Sequence, residues 1–223
     1  MGAIKVPGLS TGRREIYYPE SDGKPMAETD WHWQAMVELT MMLKARYANA
    51  PDVYVASDLL IYYQEGSPRA AVAPDVFVVF GVSKGPRRIY KLWEEHAAPA
   101  VVFELTSRKT RREDLVTKRA QYARLGVAEY FLFDPEADYL RPPLQGLLLE
   151  GGEYAAMSAA QDGTLRCESL GLDLRAAGSR LMLRDVATGE RLPWLDELDA
   201  ARVAAETEAA ALRAELARLR GAG

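Results

Sequence analysis

The sequence predicts a mixed α/β fold in which helices flank a central sheet, and three observations support this prediction. Short apolar runs typical of buried strands occur in VFVVF, VVFELT and EYFLFDP. Two longer segments, from about Thr29 to Ala48 and from Arg111 to Leu125, have helical character. Their order along the chain is helix, strand, strand, strand, helix, strand. This order indicates an αβββαβ core between about residues 25 and 145.

The two helices have recognisable ends. Thr29 or Asp30 is suited to cap the first helix, and Pro51 follows its end. Gly126 is suited to the position just after the second helix. The predicted buried face of the first helix comprises Trp33, Met36, Val37, Thr40, Lys44 and Tyr47. Between the helices, VYVASDLLIYY is interpreted as a single strand because it is rich in β-branched and aromatic residues.

The C-terminal third is interpreted as added β structure followed by a helical tail. LQGLLLE and GEYAAM form a predicted hairpin that turns at Glu150, Gly151 and Gly152. Residues 1–194 are predicted to form one domain and residues 195–223 a tail. In the tail, Leu198, Ala205, Leu212 and Leu219 recur every seven residues, and Leu195, Ala209 and Leu216 follow a second such series, which Arg202 interrupts. This pattern is typical of a short coiled coil that could join two copies of the chain, although a solvated helix packed on its own domain fits equally well.

Composition narrows the possible classes of protein. The 223 residues carry a formal net charge of -4, which is unusual for a nucleic-acid-binding protein, although KGPRR and SRKTRR are locally basic. The single cysteine, Cys167, excludes an internal disulfide and favours a reducing compartment. Neither a signal peptide nor a stretch of eighteen apolar residues is visible, so we expect a cytoplasmic protein without a membrane span. With only His32 and His96 besides the cysteine, a zinc site is not expected. Both histidines are interpreted as bystanders.

Carboxylates at strand ends are the main chemical signal. Asp75 opens the strand VFVVF, and Glu104 lies near the end of VVFELT. Two buried acids on neighbouring strands repel each other unless a cation lies between them, and hard oxygen ligands of this kind suit Mg²⁺ or Mn²⁺. On the following helix, Lys118 shares an apolar stripe with Leu115, Tyr122 and Leu125. A lysine in such a stripe either extends its ammonium into solvent or pairs with the carboxylates on the adjacent strand.

These residues carry a family resemblance. The run from APDVFVVFG to VVFELTSRKTRREDLVTKRAQYARLGVAEYFLFDP resembles the Uma-type family of restriction endonucleases, which belongs to the PD-(D/E)xK nuclease superfamily. Pro74 and Asp75 match the "PD" of that motif. Glu104, Leu105 and Thr106 match "(D/E)xK", except that Thr106 stands where the motif has lysine. Lys118 is the matching lysine in this family, displaced to the following helix.

The resemblance implies a restriction-endonuclease-like fold that cleaves DNA with a divalent metal. Asp75, Glu104 and Lys118 are then the catalytic residues, and Asp75, Glu104 and the backbone carbonyl of Leu105 hold Mg²⁺ or Mn²⁺. Asp58, Gln121, Tyr122 and Thr106 are expected to support or line the site, although the core is the preferred place for Tyr122. The basic side chains expected to contact the DNA backbone are Arg108, Lys109, Arg111 and Arg112.

A second hypothesis remains open. The acidic composition and Thr106 favour a degenerate core that binds nucleic acid or protein without turnover and self-associates through its C-terminal helix. Metal binding that depends on Asp75 and Glu104 would distinguish the enzyme from this module.

Overall fold

A computed structural model describes residues 16–21, 23, 29–107 and 110–221. Its helices are α1 (Asp30–Arg46), α2 (Leu92–Glu95), α3 (Arg119–Leu125) and α4 (Leu195–Gly221), and a π-helical segment (Glu113–Lys118) leads directly into α3. Its strands are β1 (Val53–Ser57), β2 (Ile61–Tyr62), β3 (Ala71–Val72), β4 (Val76–Phe80), β5 (Tyr90–Lys91), β6 (Val101–Leu105), β7 (Glu129–Phe133), β8 (Leu144–Glu150), β9 (Glu153–Ala156), β10 (Leu165–Cys167), β11 (Leu172–Ala177) and β12 (Arg180–Asp185).

A mixed central sheet has the strand order β1-β4-β6-β7-β8-β9. Strands β6 and β7 are parallel, as expected for strands joined by the helical crossover through α3, and the other neighbours are antiparallel. Two three-stranded sheets, β10-β11-β12 and β3-β2-β5, complete the β structure of the described residues. The predicted mixed α/β architecture, with its αβββαβ order, is therefore confirmed.

The central sheet is covered on both faces, which explains why β4, β6 and β7 are apolar on both sides. Val76, Val78 and Phe103 pack in one core cluster with residues of α1 and of the β10-β11-β12 sheet. Phe77 and Val102, which alternate with them, pack in a second cluster with residues of α3 and of the β3-β2-β5 sheet. The end of β6 therefore lies between α1 on one side and α3 on the other.

The segment VYVASDLLIYY is not one strand, in contrast to the prediction. Strand β1 ends at Ser57, and Asp58 takes a positive φ of 46° before the chain joins a different sheet as β2. The Asp58 N–H donates to the backbone carbonyl oxygens of Pro74 (3.1 Å) and Asp75 (3.2 Å). The backbone N–H of the turn thus has hydrogen-bond acceptors, and the same bonds hold the segment that leads into β4.

The predicted start of α1 is confirmed, and of its predicted buried face Met36 and Thr40 are buried. Thr29 is the N-cap, and its hydroxyl accepts from the His32 N–H at 3.2 Å. Trp33 and Lys44 are exposed. The buried positions are His32, Ala35, Met36, Glu38, Leu39, Thr40, Met42 and Leu43. Three members of this face are polar: His32 contacts Asp75, Glu38 pairs with Arg180, and the Thr40 hydroxyl donates to the Met36 carbonyl oxygen within α1. Apolar spacing alone therefore did not identify the face.

The C-terminal predictions for secondary structure are confirmed. Strands β8 and β9 form the expected hairpin, in which Glu150 pairs with Glu153 and both turn glycines, Gly151 and Gly152, have positive φ. The tail is a single helix, α4. No helix of the described residues has the length and the apolar content needed to cross a membrane.

Candidate active site

Asp75 and Glu104 meet at one edge of the central sheet. Asp75 directly precedes β4, and Glu104 is the last but one residue of β6. Because these strands are antiparallel, with Val76 opposite Phe103, the start of β4 lies beside the end of β6. The charge of Asp75 contributes to raising the pKa of Glu104, although burial of Glu104 is the larger cause. The sequence-predicted pair of acids is therefore a pair in space.

Lys118 reaches the same edge from the π-helical segment. Its Nζ atom lies 2.6 Å from Oε2 of Glu104 and 3.3 Å from Oδ1 of Asp114, and its side chain is 13% exposed. Burial by itself lowers the pKa of Lys118, but the negative charges of Glu104, Asp75 and Asp114 outweigh burial, and the net shift is upward. The side chain is therefore an ammonium held among carboxylates, and not a lysine that extends into solvent.

Glu104 is fully buried. Lys118 donates to its Oε2, and the Tyr122 hydroxyl donates to its Oε1 at 2.5 Å. Burial raises the pKa of Glu104 well above its usual range, with the positive charge of Lys118 opposing that effect. Tyr122 combines both roles considered for it, since the ring is fully buried in the core beside α3 and its hydroxyl points into the site.

Asp75 is held by the end of β6 and by α1. Its Oδ2 atom accepts a hydrogen bond from the Leu105 N–H at 2.6 Å and lies 3.3 Å from Nε2 of His32. Burial raises the pKa of Asp75, but the hydrogen bond with His32, the charge of Lys118 and the Leu105 N–H together lower it below its ordinary value. The two acids therefore have pKa values shifted in opposite directions, a common feature of sites that divide chemical roles between carboxylates.

The backbone of Leu105 is oriented towards Asp75. The next residue, Thr106, donates its N–H to the Phe133 carbonyl oxygen on the β7 side at 2.7 Å. Successive residues of a strand direct their backbone groups to opposite sides, so the Leu105 carbonyl shares the side on which its N–H contacts Asp75. This orientation is the one that the predicted metal-ligand role of Leu105 requires.

Two residues of the site were missed by the sequence analysis, and His32 is the first. It was interpreted as a bystander, yet it is 5% exposed and contacts Asp75. The sequence did contain a signal for His32, because Met36, Leu39 and Leu43 follow it after 4, 7 and 11 residues and so share its face of the helix. A histidine within a buried helical stripe has the same significance as the lysine that drew attention to Lys118.

Asp114 is the second missed residue. It is fully buried one helical turn before Lys118, and burial raises its pKa to about 6. Neither carboxylate oxygen has a well-aligned hydrogen-bond partner among the described residues, although Oδ1 lies within ion-pair distance of Lys118. The spacing of Asp114 and Lys118 on one helical face could have identified the pair.

Of the four residues predicted to support or line the site, Tyr122 donates a hydrogen bond to Glu104. The other three, Thr106, Asp58 and Gln121, have different surroundings. Thr106 is 2% exposed, and its hydroxyl is buried without a hydrogen-bond partner among the described residues. Asp58 has an exposed side chain, and its backbone N–H donates to the Asp75 carbonyl oxygen. Gln121 is half-buried on α3, and no hydrogen bond joins it to the described side chains of the site.

The basic run is only partly described. Arg108 and Lys109 lie outside the described residues. Arg111 and Arg112 are exposed at the start of the helical region that carries Asp114 and Lys118. Ser107 and Thr110 precede them and bond reciprocally, with the Thr110 N–H donating to Ser107 Oγ and the Ser107 N–H donating to Thr110 Oγ1. This arrangement is that of a capping box, which fixes the direction in which the helix leaves the sheet edge.

A model of the Uma2 family, described as "Putative restriction endonuclease", matches residues 13–177. The chain belongs to the Uma2 family. The matched range contains Asp75, Glu104, Lys118, His32 and Asp114, and it ends within β11. The resemblance inferred from the sequence is thereby confirmed. Membership in this family supports nuclease as the general class of activity, which implies a nucleic-acid substrate.

Similarity to individual proteins is low. A solved structure to which the chain is similar is that of a putative nuclease belonging to DUF820 from Anabaena variabilis ATCC 29413, with 15% sequence identity and a TM-score of 0.48. The similarity covers 66% of this chain and 76% of that one. No curated protein matches the chain.

Proposed function

We propose that this Uma2-family chain is an endonuclease that hydrolyses DNA phosphodiester bonds with Mg²⁺ or Mn²⁺. The observation that carries the proposal is the position of Lys118, whose ammonium lies 2.6 Å from Glu104 at the sheet edge shared with Asp75. Two acids and a buried cation at one sheet edge are what the family motif requires for hydrolysis of a phosphate ester. The lysine comes from a helix instead of from the position of Thr106, but it reaches the same carboxylate.

The donor set fits a hard divalent metal. Asp75, Glu104 and the Leu105 carbonyl would hold it, leaving the remaining positions to water and substrate oxygens, as Mg²⁺ favours. The described residues contain no group of three or more His, Cys, Asp or Glu side chains arranged to hold a metal by themselves. The unsatisfied buried oxygen atoms of Asp114 and Thr106 also support a site that is completed by a ligand.

The chain's own residues would position the reacting groups. When bound, the metal would supply a hydroxide near neutral pH and neutralise charge on the phosphate. Lys118, charged and fixed by Glu104 and Asp114, would stabilise negative charge on the phosphate oxygens or orient the attacking water. The Leu105 N–H and His32 would hold the carboxylate of Asp75 in one orientation.

The basic residues beyond the strand would bind the DNA backbone. Arg111 and Arg112 are exposed within the first turns after the sheet edge, close in sequence to Asp114. Such contacts are independent of DNA sequence and weaken as salt increases. Arg108 and Lys109 are proposed for the same role from their place in the sequence alone.

The test is cleavage of supercoiled plasmid with Mg²⁺ or Mn²⁺. Asp75→Asn, Glu104→Gln and Lys118→Met are each expected to lower the rate of nicking at least about 100-fold, the range for loss of one transition-state-stabilising group. Asp138→Asn, which alters an exposed carboxylate of another loop, is the matched control and should cleave like the unchanged protein.

The alternative, a binding or assembly module without turnover, predicts a different result. The unchanged protein would then cleave no plasmid form at any divalent metal concentration, whether it binds DNA or a protein partner. Calorimetric titration with Mn²⁺ also distinguishes the endonuclease from the module without turnover. Mn²⁺ binding that is lost in Asp75→Asn and Glu104→Gln supports the endonuclease. Cleavage that persists equally in all three variants would show that the site is elsewhere.

A further inference from the structure

The C-terminal helix α4 leaves its own domain after one turn. Leu195 and Leu198 are half-buried, and Arg180 bridges Glu38 of α1 to Asp196 at the start of α4. From Asp199 to Arg220 every residue is exposed except the half-buried Ala209. This exposed part is about 33 Å long at 1.5 Å per residue. In proteins, most of the stability of a helix comes from packing of its apolar face.

The exposed part carries an apolar stripe that the monomer leaves uncovered. Leu212, Leu216 and Leu219 are 54%, 53% and 68% exposed. These leucines, together with Ala205 and Ala209, alternate between the two core positions, a and d, of a heptad pattern. The a positions are Leu195, Arg202, Ala209 and Leu216, and the d positions are Leu198, Ala205, Leu212 and Leu219. The stripe continues to the end of the described helix.

The charges beside the apolar stripe indicate which partner covers it. In a parallel two-stranded coiled coil, each g residue faces the e residue of the next heptad in the other chain. Glu208 and Glu215 occupy g positions, and Arg213 and Arg220 are the e residues that they would face. Every such pair in the last two heptads is therefore attractive. None of these four side chains forms an ion pair with another described residue of its own chain, so all are available to a partner.

The antiparallel arrangement is disfavoured by the same residues. It places g residues of one helix beside g residues of the other, so that Glu208 would face Glu215. The e residues could still pair, because Glu206 would face Arg213. The parallel arrangement alone makes both edges of the stripe attractive.

We propose that α4 pairs with α4 of a second copy as a parallel, in-register coiled coil. The contact is formed by the leucines and alanines of the stripe, with Glu208–Arg213 and Glu215–Arg220 ion pairs between chains. Because the helices are parallel, both domains lie at the same end of the coiled coil. The proposal does not depend on nuclease activity.

The first experiment measures the mass of the full chain in solution by sedimentation or light scattering. The unchanged protein is expected at twice the 24.7 kDa of one chain at tens of micromolar. Glu208→Arg/Glu215→Arg makes every g–e pair repulsive between positive charges, and Arg213→Glu/Arg220→Glu makes every pair repulsive between negative charges. Each variant alone should sediment as a monomer, and an equimolar mixture should recover the dimer. Circular dichroism checks that each variant stays folded.

The second experiment tests orientation by cysteine cross-linking. Cys167 is fully buried, so it does not compete. Leu219→Cys should form a disulfide between chains on mild oxidation, because parallel helices bring identical d positions together. Ala214→Cys, on the outward face of the same helix, is the matched control and should not. A monomeric unchanged protein, a dimer that survives either charge reversal, a larger assembly, or no cross-link at position 219 would each overturn the proposal.

Discussion

At the scale of single residues, burial decides the protonation of the acids around Lys118. Burial raises the pKa of Asp114 to about 6, and burial also raises the pKa of Glu104 well above its usual range. An acid whose pKa is raised in the folded state binds protons more tightly there than when unfolded. Its contribution to stability is therefore present at low pH and is lost as the pH rises through the folded pKa. A bound divalent cation would reverse this loss, because it favours the charged carboxylates.

We therefore predict that Mn²⁺ raises the melting temperature more at pH 7.5 than at pH 5.5. At the lower pH, protons compete with the metal for the buried carboxyl groups. Thermal unfolding with and without Mn²⁺ at the two pH values measures the difference. Asp114→Asn removes one of the titrating groups and should reduce the dependence on pH. An equal effect of Mn²⁺ at both pH values would contradict the assignment of the metal to this edge.

A second prediction concerns His32. Its contact with Asp75 holds a predicted metal ligand, and removal of such supporting partners commonly lowers metal affinity or activity by about 10–100-fold. His32→Ala should lower nicking by that amount and raise the Mn²⁺ concentration needed for half-maximal rate. His32→Asn, which keeps a polar side chain, should recover part of the loss. The matched control is His96→Ala, which removes the other histidine, at the C-terminus of α2, and should have no effect on either quantity.

The residue scale also shows what the sequence could predict about the site. Asp75 and Glu104 were recognisable as carboxylates at strand ends, and Lys118 as a charged residue within an apolar helical stripe. A carboxylate at a strand end is not sufficient by itself. Asp134 follows β7 at the same sheet edge and is fully buried, yet it accepts from the backbone N–H groups of Tyr139 and Leu140 and holds a loop. Only its partners distinguish it from Glu104.

At the scale of elements, the site depends on how the chain leaves β6. The π-helical segment Glu113–Lys118 precedes α3, and helical segments of this type often occur at functional sites. The sequence predicted one continuous helix over this region. From this region both Lys118 and Tyr122 contact Glu104 on β6. The local sequence pattern predicts a helix but carries no information about such contacts with another element.

The division of VYVASDLLIYY between two sheets was unpredictable for a related reason. Both β1 and β2 are apolar and buried, so composition cannot separate them. The break at Asp58 forms because the start of β4 offers two carbonyl acceptors to its N–H. Strand partners, which decide where a strand ends, are a property of the assembled sheet.

A third prediction concerns the approach of β8 to the strands that follow it. A methyl group added at Gly146 would lie 2.6 Å from Met157 Sδ, 3.0 Å from Phe131 Cε1 and 3.1 Å from Leu165 Cδ1. Gly146→Ala should therefore lower the free energy of unfolding by about 1–3 kcal/mol, the usual cost of overpacking a core. Urea unfolding measures the change. Gly85→Ala is the matched control, because a methyl group there meets open space. Equal stability of the two variants would show that β8 can shift to make room.

At the scale of the whole molecule, the start of α4 is in contact with the residues that precede it. The first turn of α4 is tied to the domain, since Glu197 pairs with Arg191 and accepts from the Trp194 N–H, and Asp196 pairs with Arg180. The sequence pattern changes at Leu195, whereas these contacts join residues on both sides of that position. The division into residues 1–194 and 195–223 stays a prediction, and we propose that the independent part of the tail begins near Asp199.

Two shortened chains test this boundary. A chain that ends at Leu198 keeps the ion pairs of Asp196 and Glu197, whereas a chain that ends at Trp194 loses them together with the partly buried Leu195 and Leu198. Both lack the exposed part of α4, so neither should dimerise, and the comparison isolates the first turn. We expect the shorter chain to melt roughly 2–4 °C lower than the longer one, the shift that a modest loss of stability causes in a domain of this size. Scanning calorimetry of both chains at one concentration measures it. Equal melting temperatures would instead place the boundary at Leu195, where the sequence pattern predicted it.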